Sequence, residues 1–204
     1  MKNIFLANVA HSISLNKNKA HYNNTKLNVP SLWYFTDEDK TKDITNILHR
    51  LPTYSGIVLR NYCSKDRRTI IKNVLRMAKR KNFTVLMASH PRAHGNINGL
   101  HLPKWEYKCR RNTKGQIISV SAHSLKDKRK IINTKADIIF LSSVFHTNSH
   151  PKRKHLGIIR FGLLARSLAR PVIALGGINN KNIKKLKNFP IIGVAAIEAL
   201  KQGK

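Results

Sequence analysis

Acidic residues are scarce in this chain: 9 Asp and Glu stand against 39 Lys and Arg in 204 residues, a formal charge of +30. Such an excess attracts polyanions of every kind, whether nucleic acid, acidic membrane or phosphorylated metabolite, and does not choose among them. The basic residues are scattered, in runs such as Arg67-Arg68, Lys79-Arg80-Lys81 and Lys152-Arg153-Lys154, and form no single stripe. That distribution reads as a drift towards Lys and Asn on solvated faces. An aromatic-basic recognition pattern and a zinc-finger signature are both missing, so nucleic acid is not the expected partner. Cysteine is nearly absent: Cys63 and Cys109 lack the close spacing of a zinc site or redox pair, and a reduced cytoplasmic setting is expected. Long apolar runs are lacking too. Ile4-Phe5-Leu6-Ala7 after Lys2 begins like a signal peptide but is interrupted by Asn8 and His11, and no stretch reaches bilayer-spanning length, so no membrane association is expected.

What remains is ordinary globular usage, 41% hydrophobic and 24% charged, enough for one domain with one core. Residues 1–29 are expected to be a flexible basic extension, because His11 to Asn28 is rich in Asn and Lys without a sustained apolar period. From Pro30 onward, short β-branched or aromatic runs alternate with longer polar-apolar segments, the rhythm of repeated strand-helix units. Strands are expected at Leu32–Phe35, Gly56–Leu59, Thr84–Ala88, Gly99–Leu102, Ile117–Ser121, Ala136–Leu141, Pro171–Leu175 and Ile192–Ala195. Helices are expected at Asp43–Leu51, Asp66–Lys81, Leu125–Asn133, Ile158–Leu168, Asn180–Leu186 and Ala196–Lys201. In the second of these, Ile70, Ile71, Val74, Leu75 and Ala78 make a stripe suited to lying against a sheet. Eight parallel strands with right-handed crossovers most naturally close into a compact (β/α)8 barrel over 30–204, although periodicity alone also admits an open doubly wound sheet.

The densest chemistry falls at expected strand ends. Pro171 to Leu175 runs into Gly176-Gly177-Ile178-Asn179; paired glycines let backbone approach a ligand and turn amide N–H groups towards an anion. The next unit ends Gly193-Val194-Ala195-Ala196 ahead of the last expected helix, whose N-terminal amides would suit the same phosphate. Phosphate sites of barrel enzymes frequently lie between the loops after strands seven and eight. A bland alternative for the glycine pair is a tight strand-to-helix turn. Ser121-Ala122-His123-Ser124 ends the fifth strand, and the stretch from Ser142 to His150, with His146, Thr147 and Ser149, follows the sixth. Hydroxyls can donate to phosphate oxygens, and His can donate, accept or titrate near neutrality. His101, inside the fourth strand, reads as structural.

Taken together, Thr36-Asp37, Leu59-Arg60, Gly99-Leu100-His101-Leu102, Val120 to His123, Ala136-Asp137 leading to Val144-Phe145-His146-Thr147, Ala174 to Ile178, and Gly193 to Ala196 resemble the thiamine phosphate synthase and thiazole tautomerase superfamily, in the family's order from about Leu32 onward. The resemblance implies a barrel that joins hydroxymethylpyrimidine diphosphate to thiazole phosphate with Mg²⁺ assistance, releasing diphosphate. It implies Arg60 at the leaving diphosphate, with Ser121 and His123 beside it as catalytic groups. Thr147, Ser149, Gly176, Gly177, Gly193, Val194, Ala195 and Ala196 would bind phosphate, and Glu106 the metal. The expected partners are therefore phosphorylated thiazole and pyrimidine precursors of thiamine.

The pattern is not complete. Val58 and Tyr62 stand where synthases carry Gln and Lys around the strand-two Arg, and Ala88-Ser89-His90 replaces the Asn-Asp pair after strand three. His150 replaces the Lys expected after strand six, with Lys152, Arg153 and Lys154 close behind. Leaving-group catalysis relies on positioned donors, so a metal-free tautomerase or a non-catalytic thiazole phosphate binder is the alternative; the tautomerase His aligns with Ser143, leaving His123 or His146 to act instead.

Overall fold

Short runs such as Leu32-Trp33-Tyr34-Phe35 and Ile138-Ile139-Phe140-Leu141 are too brief for helices and apolar on both faces, the signature of strands covered on either side. The computed structural model describes residues 2–15, 28–36, 44–60, 67–88, 97–106, 115–147 and 154–201. Within them lie β1 (Leu32–Phe35), β2 (Gly56–Leu59), β3 (Thr84–Ala88), β4 (Gly99–Leu102), β5 (Ile117–Ala122), β6 (Ile138–Leu141), β7 (Val172–Leu175) and β8 (Gly193–Ala196). All eight pair in parallel in sequence order, and β1 meets β8 to close the ring. The closed barrel expected from the sequence is the fold, and the open sheet is not.

Alternation along each strand sorts side chains into two cores. Trp33, Phe35, Val58, Leu86, Ala88, Ile138, Phe140, Ile173 and Ala195 point inward and fill the barrel. Inside, the Phe140 ring meets Trp33 at 5.3 Å and Phe35 at 4.8 Å, both edge to face, a favourable arrangement of ring quadrupoles. Gly56 makes room for this cluster, since a Cβ there would lie 2.2 Å from the Trp33 ring. The alternate residues, among them Ile57, Val85, Leu100, Val120 and Val172, face the surrounding helices.

Six α-helices lie in the described residues: α1 (Lys2–Leu15), α2 (Ile44–Arg50), α3 (Arg67–Lys81), α4 (Lys128–Asn133), α5 (Gly157–Ser167) and α6 (Glu198–Lys201). The stripe on α3 buries Ile71, Val74, Met77 and Ala78, with Ile70 and Leu75 partly covered. The helix expected over 180–186 is reduced to a 3-10 turn, Ile183–Leu186. Asn179 and Asn182 explain why: their side-chain oxygens accept the amides of Lys181 and Asn179, the local competition that disfavours an α-helix start.

One expectation is corrected at the N-terminus. Residues 2–15 are helical, not part of a flexible extension, and α1 packs on β1, β8 and the Ile183–Leu186 turn. Leu6, Val9, Ala10 and Ile13 are buried in the outer core, and a large aliphatic side chain so buried contributes roughly 1.5–3 kcal/mol. The remainder of the expected extension, 16–27, lies outside the described residues.

Candidate active site at the C-terminal ends of the strands

The strand ends that carry the sequence motifs all open on one rim, because every strand runs in the same direction. On the side of β6, β7 and β8 the loops enclose a cavity of about 250 Å³, lined by His146, Thr147, Leu175, Gly176, Gly177, Ile178, Asn179, Ala196, Ile197, Glu198 and Ala199. Leu175 and Ala195 are register partners, so the two glycine-bearing segments are neighbours around the ring.

Backbone bonds hold this wall. Val144 and Phe145 donate to the carbonyls of Leu175 and Gly176 at 3.0 and 3.1 Å, and Leu156 and Gly157 donate to Ser143 and Val144 at 2.8 and 3.1 Å. Gly176 and Gly177 have φ of +100° and +66°, a region where Cβ-bearing residues are strained. A Cβ on Gly177 would sit 2.1 Å from the His146 carbonyl oxygen, and one on Gly176 2.8 Å from Ser143 Cα. The glycines are thus required by the approach of the β6 loop as well as by the turn. Asn182 Nδ2 donates to the Gly177 carbonyl at 2.8 Å. Among the described residues, no hydrogen bond outside the strand ladders and helices is donated by the amides of Gly177, Ile178 or Ile197.

Of the expected phosphate-binding residues, Thr147, Gly176, Gly177 and Ala196 line this cavity, whereas Gly193, Val194 and Ala195 do not. Those three are strand residues below the rim. The Val194 amide is spent on the Ser31 carbonyl at 2.8 Å, Ala195 belongs to the inner core, and a Cβ on Gly193 would meet Ser31 backbone at 2.5 Å. The segment from Ile197 to Ala199 takes their place, because the last helix begins at Glu198 and not at Ala196. Ser149 lies outside the described residues. Glu198 was not singled out in the sequence; it is the sole acidic residue between Asp137 and the end of the chain.

The other side of the rim relies on side chains. Arg60 follows β2; its amide donates to Thr36 Oγ1 and its Nε to the Thr36 carbonyl, each at 2.8 Å. Its guanidinium lies 5.3 Å over the Phe35 ring, a cation–π contact that fixes the charge at the mouth. Val58, two residues below, is fully buried in the inner core, as is Ala88 at the end of β3, so this wall is apolar where synthases carry polar groups. On β5, Ser121 Oγ lies 3.0 Å from Nε2 of the buried His101. His123 donates from Nδ1 to the Ser142 carbonyl at 2.9 Å, tying β5 to β6, while its amide donates to Asp127 at 2.7 Å.

Among the described residues, the side chains present do not fit a resident metal ion. Glu106 is the sole carboxylate between Asp66 and Asp127, and the described residues contain no group of three or more metal-ligating side chains. Lys130, buried, donates to the carbonyls of Leu102 and Pro103, and Pro103 also accepts the Glu106 amide at 3.1 Å. A lysine therefore buttresses the turn that would have to hold a cation. Burial pushes the Lys130 ammonium down to about 8, against the opposing pull of Asp127 and Glu106. Like Glu198, this buried lysine is not marked by the sequence.

These features define a class: a parallel eight-stranded barrel with a backbone-walled cavity at the C-terminal ends of its last strands, and with an arginine after β2 and a serine at the end of β5 elsewhere on the same rim. Residues 36–200 match the family described as thiamine monophosphate synthase, and the chain belongs to that family. It is 25% identical to the thiamine-phosphate synthase of Clostridium tetani over 83% of this chain and 87% of that one. It is 31% identical to the enzyme of that name from Methanococcus vannielii over 41% of each chain. A thiamine phosphate pyrophosphorylase from Pyrococcus furiosus superposes with a TM-score of 0.68 at 19% identity, covering 90% of this chain and 88% of that one, which shows the shared fold.

Proposed function

We propose that the protein joins hydroxymethylpyrimidine diphosphate to thiazole phosphate, forming thiamine phosphate and releasing diphosphate. The carbon–oxygen bond to the diphosphate breaks with its electron pair leaving on oxygen, and the thiazole nitrogen supplies the pair for the new carbon–nitrogen bond. The observation that carries this reading is the cavity between the β7 and β8 loops, in a chain of this family. In it, the amides of Gly177 and Ile178 with the Thr147 hydroxyl hold the thiazole phosphate, since backbone donors bind an anion without adding charge.

Arg60 meets the departing diphosphate. The bond from its Nε to the Thr36 carbonyl and its seat on Phe35 preorganise the positive charge, which is what stabilises charge developing on a leaving group. His123, tied to the Ser142 carbonyl and to Asp127 at the end of β5, is the general acid-base candidate of this reading. No step is assigned to a protein-bound metal. The reaction is assigned to the cytoplasm, in keeping with two isolated cysteines, and no helix among the described residues is long and apolar enough to cross a membrane.

The test is direct: purified protein is incubated with both precursors in Mg²⁺-containing buffer, and thiamine phosphate and diphosphate are quantified together. Stoichiometric appearance of the two is expected. No turnover at high protein concentration removes the synthase reading, and retained thiazole phosphate binding would then leave a binder.

A further inference from the structure

The cavity between the β7 and β8 loops is an exception within its own molecule. The chain carries 39 Lys and Arg against 9 Asp and Glu. Among the described residues that line the cavity there is neither a lysine nor an arginine, yet one of the few acids, Glu198, is there. Glu198 is half-buried at the first position of α6. His146, from the loop after β6, is the other lining residue that titrates; the β7 loop contributes the neutral Leu175, Ile178 and Asn179 with the two glycines.

A carboxylate in such a place sets a condition on the anion that enters. An ionised carboxylate has no proton to donate, so a fully ionised phosphate meets it as like charge against like charge, in a cavity partly shielded from water. The conflict disappears when one proton is held between the carboxylate and a phosphate oxygen. The last proton of a phosphate monoester leaves with a pKa of about 6, so the protonated form is within reach at neutral pH, whereas sulfate has no proton to bring. A carboxylate presents about four lone-pair sites on its two oxygens, so a contact with the rest of the protein still leaves it able to accept from a ligand.

We propose that Glu198 is the specificity residue of this cavity: it admits a phosphate monoester that brings one proton, and it turns away groups of higher charge, among them the diphosphate of the other substrate. This rests on the synthase reading and deepens it. Two anionic substrates have to be sorted between two sides of one rim, and a pocket of backbone amides alone would hold either of them. With Glu198 in the lining, the diphosphate is left to Arg60.

Proton linkage supplies the test, because a ligand that must take up one proton to bind loses affinity about tenfold per pH unit above its own pKa. Titration calorimetry of the full chain with thiazole phosphate should show about a tenfold fall in affinity from pH 7 to pH 8, with about one proton taken up per ligand when heats are compared across buffers. In Glu198→Gln the fall should shrink to less than about twofold and the uptake should vanish, while Glu198→Asp, which keeps the carboxylate, keeps both. His146→Asn should also keep both; uptake that disappears with His146 would overturn the proposal. Sulfate added as a competitor should leave wild-type binding unchanged and weaken binding to Glu198→Gln by at least about threefold. A Glu198 that only orders the loop would lower affinity in Glu198→Gln without moving the pH slope, and that result would overturn the proposal too. Methyl phosphate, titrated in parallel, presents the ester phosphate without the thiazole. If it binds by these rules while thiazole phosphate does not bind, the synthase reading fails and the role of Glu198 stands. If thiazole phosphate binds equally well at pH 7 and pH 8, the role of Glu198 fails and the synthase reading stands.

Discussion

The two sides of the barrel mouth are built by different means. Along β6 to β8 the wall is main chain: two left-handed glycines pressed against a neighbouring loop, two hydrogen bonds from the β6 loop to the β7 loop, and two more that close the β6 loop on itself. Along β2 to β5 it is a few side chains on an apolar base, with Arg60 seated on Phe35 above Val58 and Ala88. A backbone wall is insensitive to drift in side-chain composition, which in this chain runs heavily towards Lys and Asn. A side-chain wall is not, and Val58, Tyr62 and Ala88 are departures from the family's pattern on this side, with His150 after β6 a departure on the other.

The contrast can be broken most severely at Arg60. If the leaving-group side depends on one preorganised cation, Arg60→Ala should lower kcat by about two orders of magnitude while the dissociation constant for thiazole phosphate stays within about threefold. Arg60→Lys should recover little, because a lysine lacks the Nε–H that donates to the Thr36 carbonyl and the planar group that stacks on Phe35. On the opposite wall the reverse split is expected. Gly177→Asp places a side chain against the His146 carbonyl and a negative charge beside the cavity, so titration calorimetry should show thiazole phosphate binding weakened by about tenfold or more. Equal losses of binding and turnover in both variants would erase the distinction between the two sides.

The barrel interior gives a pH signature of intermediate size. The folded state holds His101 near 3, whereas an unfolded histidine titrates near 6.5. Between these values the unfolded chain binds more protons, so stability is fully present above about pH 6.5 and is lost progressively as pH falls towards 3. Urea unfolding followed from pH 7 to pH 4 should show a decline of a few kcal/mol, reduced in His101→Phe. The smallest effect is expected at Glu198. Replacing it by Gln removes an anion from the lining of the phosphate cavity and should tighten thiazole phosphate by about threefold; weaker binding would mean that the carboxylate orders the loop.

Much of the fold was legible in the sequence. The first four strands fall at their expected bounds, because punctuated apolar runs flanked by turn residues have few other readings. The helix α1 was not. Its buried Leu6, Val9, Ala10 and Ile13 have helical spacing, but Ile4, Phe5 and Leu15 are apolar on the exposed side and blur the stripe. The site was legible in part. Gly176, Gly177 and Thr147 are marked by their types, whereas exclusion of Gly193 to Ala195 depends on where β8 ends. The contact between His101 and Ser121 depends on the register of β4 against β5, which no single segment encodes. The buried lysine at 130 is hidden among the other basic residues of its helix.

The central claim is that backbone at the ends of β7 and β8 receives the thiazole phosphate, and a crystal structure with that ligand tests it most directly. The account predicts phosphate density within hydrogen-bonding distance of the Gly177 and Ile178 amides, in the cavity between the two loops. Density for the phosphate beside Arg60, or anywhere outside the β6–β8 rim, would contradict it.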